Sequence, residues 1–180
     1  MIFVGKINFI LFFKIFDMLK KSINPLSVIV AVVFLMTVVS CDPTEKRERE
    51  EEEAIAGYLA SNPTLLFEQK ASGLYYLELL PGSGPQAVKG DTAYVKYTGK
   101  FLDGTVFDSN VSKVDTLKFA VNEGYVLQGF DEGVTYMSQG SKAVFLLPSY
   151  LAYGASGYFM PSYTPVIFDV ELVKITPGVK

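Results

Sequence analysis

The chain has 180 residues, 16 of them basic and 19 acidic, with no histidine, no tryptophan and one cysteine, Cys41. The missing histidine removes the commonest general base and transition-metal ligand, and a lone cysteine forms neither an intramolecular disulfide nor a cysteine zinc site, which argues against zinc-hydrolase, catalytic-triad and redox chemistry. Residues 1–40 hold four lysines and one aspartate, so 12 basic and 18 acidic groups remain beyond them, a net charge of −6 that disfavours nucleic acid as a partner.

Residues 1–40 read as a targeting segment. Met18-Leu-Lys-Lys-Ser22 is basic, Leu26 to Val39 is apolar apart from Ser27 and Thr37, and the small Ser40 precedes Cys41. The apolar run is shorter than the roughly 20 residues a membrane-spanning helix needs. Val38-Val39-Ser40-Cys41 resembles a bacterial lipobox, which implies lipidation of Cys41 and attachment to a membrane of the cell envelope, the outer membrane being favoured over the inner. The competing reading is an uncleaved anchor with an incidental cysteine. Residues 1–17 form a second hydrophobic stretch, either a start-site artefact ahead of Met18 or a longer amphipathic leader.

Residues 41–71 read as a charged, partly helical tether. Glu45 to Glu53 (EKREREEEE) is almost wholly charged, Thr44 is placed to cap a helix through Ala54-Ile55-Ala56 and Tyr58-Leu59-Ala60, and Ser61-Asn62-Pro63 is placed to stop it. A solvated spacer is the expected role; an acidic sorting signal behind the lipidated cysteine is the alternative.

The globular domain is expected over residues 72–177. Leu74–Leu80 has strand composition and ends at the turn residues Pro81-Gly-Ser-Gly-Pro85. In Thr92–Leu102, Ala93, Val95, Tyr97 and Gly99 point one way and Tyr94, Lys96, Thr98 and Lys100 the other. Asp103-Gly104 predicts a tight turn back into Thr105-Val106-Phe107. Leu117–Val121, Lys142–Leu147 and Val166–Ile175 are further strands, the last with Phe168, Val170, Leu172 and Lys174 on one face. One helix is expected, Phe130–Met137, whose Phe130, Val134 and Met137 form an apolar stripe. Strands with one short helix indicate the α+β class, an antiparallel sheet of five to six strands wrapped around that helix.

Four strings occur in order: VKYTGKFLDGTVFDSN (Val95–Asn110), GFDEGVTYMSQG (Gly129–Gly140), YLAYGASG (Tyr150–Gly157) and PVIFDVELVKI (Pro165–Ile175). Together they resemble the FKBP-type peptidyl-prolyl cis-trans isomerases, and the resemblance implies the same half-wrapped sheet. It also implies a site. Tyr97, Asp108 and Tyr153 take the catalytic positions, Asp108 orienting Tyr97 or meeting the twisted carbonyl carbon and Tyr153 holding a neighbouring carbonyl. Phe107, Leu117, Val126, Leu127, Phe130, Tyr158, Phe159 and Phe168 take the substrate-binding positions. Leu117 stands where the family often has Phe, and Phe130 where its best-known members have Trp. Judged without the family, the aromatic residues read first as core, and Asp108 equally as a turn-capping side chain.

Such a reaction needs no nucleophile, metal or cofactor, so the absence of histidine is no obstacle. Proline-containing polypeptides and macrolide inhibitors are the implied partners of a chain expected to be monomeric. The reading is then a prolyl isomerase that assists folding of envelope or secreted proteins. The alternatives are a non-catalytic module that binds proline segments and an assembly part of the same fold.

Overall fold

The computed structural model describes residues 43–155 and 160–178. The expected signal segment, Cys41, Tyr158 and Phe159 lie outside them. Helix α1 (Pro43–Ser61) ends two residues before Pro63, whose ring disfavours helical geometry at the residue before it. A two-residue strand follows, β1 (Glu68–Gln69), then β2 (Tyr75–Leu80), β3 (Thr92–Phe101), β4 (Val106–Ser109) and β5 (Leu117–Ala120). Helix α2 (Gln128–Thr135), β6 (Lys142–Leu147), a 3₁₀ turn (Ser149–Leu151) and β7 (Val166–Thr176) complete the order. All pairings are antiparallel and run β1-β2-β6-β7-β3-β4, with β5 also on β3, so the sheet has seven strands. The α+β class holds; β1 was not expected, because two exposed polar residues carry no alternation.

Strand β3 is the spine. It pairs with β7 from Thr92↔Thr176 to Phe101↔Val166, and its other edge is shared by β5 at Thr92–Val95 and β4 at Thr98–Lys100. Asn110 fills the gap between the two short strands. Its side chain accepts from the Tyr97 amide at 2.8 Å and donates to the Val95 carbonyl at 3.0 Å, supplying the ladder bonds that neither strand makes there. The predicted turn forms at Asp103-Gly104, where Gly104 has φ +86° and Asp103 accepts from the Thr105 amide.

The concave face carries the main core. Val95, Phe119, Val134, Met137, Phe145, Leu147, Phe168 and Leu172 are buried there around α2. The expected stripe Phe130, Val134 and Met137 is buried throughout. The helix itself lies two residues earlier than predicted. Beyond Thr135 the amides of Tyr136 and Met137 bond back to Gly133 and Val134, tightening the chain into a turn. Gly133 lets the helix sit close, since a β-carbon there would be 2.6 Å from the Phe145 ring.

Two expectations change. The β3–β7 register shifts between Tyr94 and Val95, leaving Val173 as an extra residue. Ile175 therefore turns into the core, and Lys174 leaves the Phe168 face to lie over the Tyr94 ring, 5.3 Å from its centroid. Nor is α1 a free spacer. Its Ile55 packs with Val144, Leu146 and Ile167, with Tyr58 and Leu59 alongside, and covers the outer face of the sheet. Burial on both faces explains why β6 is apolar at every position after Lys142.

Candidate active site

A pocket of about 550 Å³ opens between β3, β4, α2 and the segment after the 3₁₀ turn. Tyr97, Asp108, Leu117, Val126, Leu127, Phe130, Tyr153 and Phe168 line it, so eight of the sequence-predicted positions meet at one place. Phe107 stands behind the wall, edge-on to Phe168 at 5.8 Å and to Tyr153 at 6.2 Å between ring centroids. Phe130 is the floor. Its ring meets Phe168 edge-to-face at 5.2 Å and Tyr97 at 5.9 Å, geometries that favour aromatic pairs. Gly99 makes room for this cluster: a β-carbon there would lie 2.6 Å from Phe107 and 2.9 Å from Phe168.

The polar groups stand on one side. The Tyr97 hydroxyl donates to Asp108 Oδ2 at 2.5 Å. Residues 97 and 108 come together because β3 and β4 pair Gly99 with Asp108, two residues along from Tyr97 on the same face. Burial, and then the bond and charge of Asp108, push the Tyr97 phenol up to about 12. Burial, with Asp108 second, also raises Tyr153. Both hydroxyls therefore stay protonated at neutral pH, Tyr97 committed to Asp108.

Three buried or anchored side chains fix the loops that bring these groups in. Asn110 sets the Tyr97 backbone, as above. Lys96 Nζ donates to the carbonyls of Asn110, Lys113 and Asp115 at 3.2, 2.5 and 3.1 Å, pinning the loop that leads to Leu117. Asp131 of α2 is 4% exposed and accepts from the amides of Asn122 and Gly124 at 2.5 and 3.0 Å. It thereby holds the turn before Val126 and Leu127, in which Asn122 takes φ +56° and Gly124 +76°.

Residues 84–173 match the family described as FKBP-type peptidyl-prolyl cis-trans isomerase. The macrophage infectivity potentiator of Trypanosoma cruzi is 34% identical over 164 residues, covering 84% of this chain and 83% of that protein. The chain belongs to the FKBP family of prolyl isomerases. An FK506-binding protein of Neisseria meningitidis serogroup B is 39% identical over 105 residues, 57% of this chain and 96% of the relative. Among solved structures, the crystal structure of a peptidyl-prolyl cis-trans isomerase from Pseudomonas syringae pv. tomato superposes with a TM-score of 0.63 at 28% identity, over 77% of this chain and 99% of that one.

Within this FKBP pocket the sequence had not assigned Tyr125, Gln128 or Ala152 to the site; all three line the cavity. Gln128 and Tyr125 adjoin the Val126-Leu127 pair, so their place follows from the turn into α2. Ala152 follows from the AYG string. Asn110 and Asp131 carried a weaker signal, as polar residues within the family strings whose burial only tertiary contacts reveal.

Proposed function

We propose that this FKBP-type isomerase accelerates X-Pro rotation by selective, non-covalent stabilisation of the twisted amide, acting on envelope or secreted polypeptides as they fold. Lipid attachment through Cys41 would hold it at a membrane of the envelope, the outer membrane preferred. The convergence of a Tyr97–Asp108 pair and Tyr153 over the Phe130–Phe168 floor, in one cavity, is the observation that supports the reading.

The barrier to rotation of a peptide bond is ~18–20 kcal/mol and arises from amide resonance. In the twisted state that resonance is lost, the carbonyl becomes less polar and the nitrogen pyramidal. An aromatic pocket solvates the planar, polar amide poorly and the twisted one with less penalty. The proline ring rests on Phe130 and Phe168, its burial worth on the order of 2 kcal/mol. Tyr153 orients a neighbouring carbonyl with its hydroxyl. Asp108 fixes the Tyr97 hydroxyl and presents its remaining lone pairs to the reacting carbonyl carbon. Catalysis is positioning together with preference for the twisted form. The FK506-binding relative supports a macrolide as competitor for the same pocket.

The test is cis-trans isomerisation of a Leu-Pro peptide by the purified protein with and without a macrolide. Acceleration that the macrolide abolishes is expected; a folded protein with no effect on the peptide would overturn the catalytic reading. In a bacterial host, Cys41→Ser should leave an unlipidated precursor, and persistent lipid labelling would overturn the anchor.

A further inference from the structure

Six glutamates stand between residues 45 and 53, and five of them face solvent. Glu51 does not. It is 7% exposed, and its two carboxylate oxygens are both used by Ser149, itself 3% exposed: Oε1 accepts from the backbone amide and Oε2 from the hydroxyl, the latter at 2.7 Å. Nothing in the packing of α1 calls for a carboxylate here, because Ile55, Tyr58 and Leu59 already seat the helix on the sheet. A buried charge costs free energy relative to an apolar side chain, and a gain in specificity of position can offset that cost.

Ser149 is the hub of the segment that carries Tyr153. Its carbonyl accepts from the amides of Ala152 and Gly154, both at 2.8 Å, one on each side of Tyr153. Leu151, just before Ala152, is buried with its β-carbon close above Gly129 of α2. The hydroxyl of Tyr150 donates to the Ser72 carbonyl at 3.1 Å and ties the same turn to the loop before β2. Hydrogen bonds through Ser149 thus link Glu51 to the two backbone amides that flank Tyr153.

We propose that Glu51 is a positioning residue of the isomerase pocket, which through Ser149 fixes the backbone that aims Tyr153 at the substrate. Helix α1 is then part of the catalytic domain, not an accessory to it. The proposal rests on the isomerase reading above. It sets the place of a hydroxyl that must reach a carbonyl within hydrogen-bond range, where small displacements carry large rate penalties.

The experiment compares the full chain with Glu51→Gln and with Ile55→Ala, which loosens the same helix without touching Ser149. For each, kcat/KM on a Leu-Pro peptide is measured well below that variant's own Tm, together with the 19F resonance of 3-fluorotyrosine placed at position 153. Glu51→Gln should lower kcat/KM about five- to ten-fold and move the resonance. Ile55→Ala should lower Tm and leave both kcat/KM and the resonance at their original values. Unchanged kcat/KM with an unmoved resonance in Glu51→Gln would overturn the proposal, as would equal losses in the two variants. Should the original protein fail on every X-Pro peptide, the isomerase reading falls, and the resonance alone still decides whether Glu51 sets Tyr153.

Discussion

Truncating Asp108 separates catalysis from stability more sharply than any other change in the pocket. Asp108 is exposed on β4, so its loss should alter folding free energy by no more than ~0.5 kcal/mol. Its bond from the Tyr97 hydroxyl is a different matter. The aim Asp108 gives the Tyr97 hydroxyl, and its own lone pairs, act on the substrate only as the amide twists. A charge-assisted contact made there is worth ~1.5–3 kcal/mol, the lower end where the pocket mouth admits water. At 1.36 kcal/mol per decade, a loss of ~1.5 kcal/mol from the transition state is about ten-fold in kcat/KM. Asp108→Ala should show that loss, and Asp108→Asn, which keeps a neutral acceptor, a smaller one. A second readout is the Tyr97 phenol. Burial is the first cause of its rise to about 12 and Asp108 the second, so removing the carboxylate should lower it without returning it fully to 10.0. Tyrosine ring-carbon NMR across alkaline pH, with Tyr97→Phe to assign the signal, measures this directly. If Asp108→Ala kept its kcat/KM and Tyr97 titrated as before, the bond would have no role in solution and the reasoning would be refuted.

Tyr76 and Tyr97 both have folded-state values of about 12 against 10.0 unfolded, so the stability they contribute is fully present below pH 10 and is lost as pH rises towards 12. Thermal melts should stay level to pH 10 and fall above it, and Tyr76→Phe should blunt the fall. That variant should cost little at neutral pH, because the Tyr76 hydroxyl is buried without a hydrogen-bond partner. Gly99→Ala drives a methyl into Phe107 and Phe168 and should cost ~1–3 kcal/mol in denaturant unfolding, with a parallel fall in kcat/KM. Asp131→Ala leaves the Asn122 and Gly124 amides without their carboxylate, a loss of ~1–3 kcal/mol, and should raise KM by freeing the turn before Val126; native KM would count against that role.

What the sequence made legible followed from local periodicity and from the four ordered strings. The alternation in Thr92–Phe101, the Asp103-Gly104 turn and the Phe130-Val134-Met137 stripe all rest on contacts each element makes with a single neighbour surface. The features that escaped depend on a partner distant in the chain. The bulge at Val173 exists only against the register of β3, so a strict two-residue period put Lys174 on the wrong face and hid Ile175 from the core. Glu51 was indistinguishable from its five neighbours because the Ser149 that selects it lies 98 residues away. One signal did point to α1. Strand β6 reads KAVFLL, apolar at successive positions, and a strand with one face in water would have alternated. Val144 and Leu146 therefore required a cover on the outer face, and the apolar half of the helix, Ile55 with Tyr58 and Leu59, was the segment outside the sheet equipped to supply it. That cover brings a carboxylate within reach of Ser149. The pocket on one face of the sheet and the helix on the other are joined at that residue, so a perturbation of α1 at Glu51 and one at Ile55 should have separable consequences.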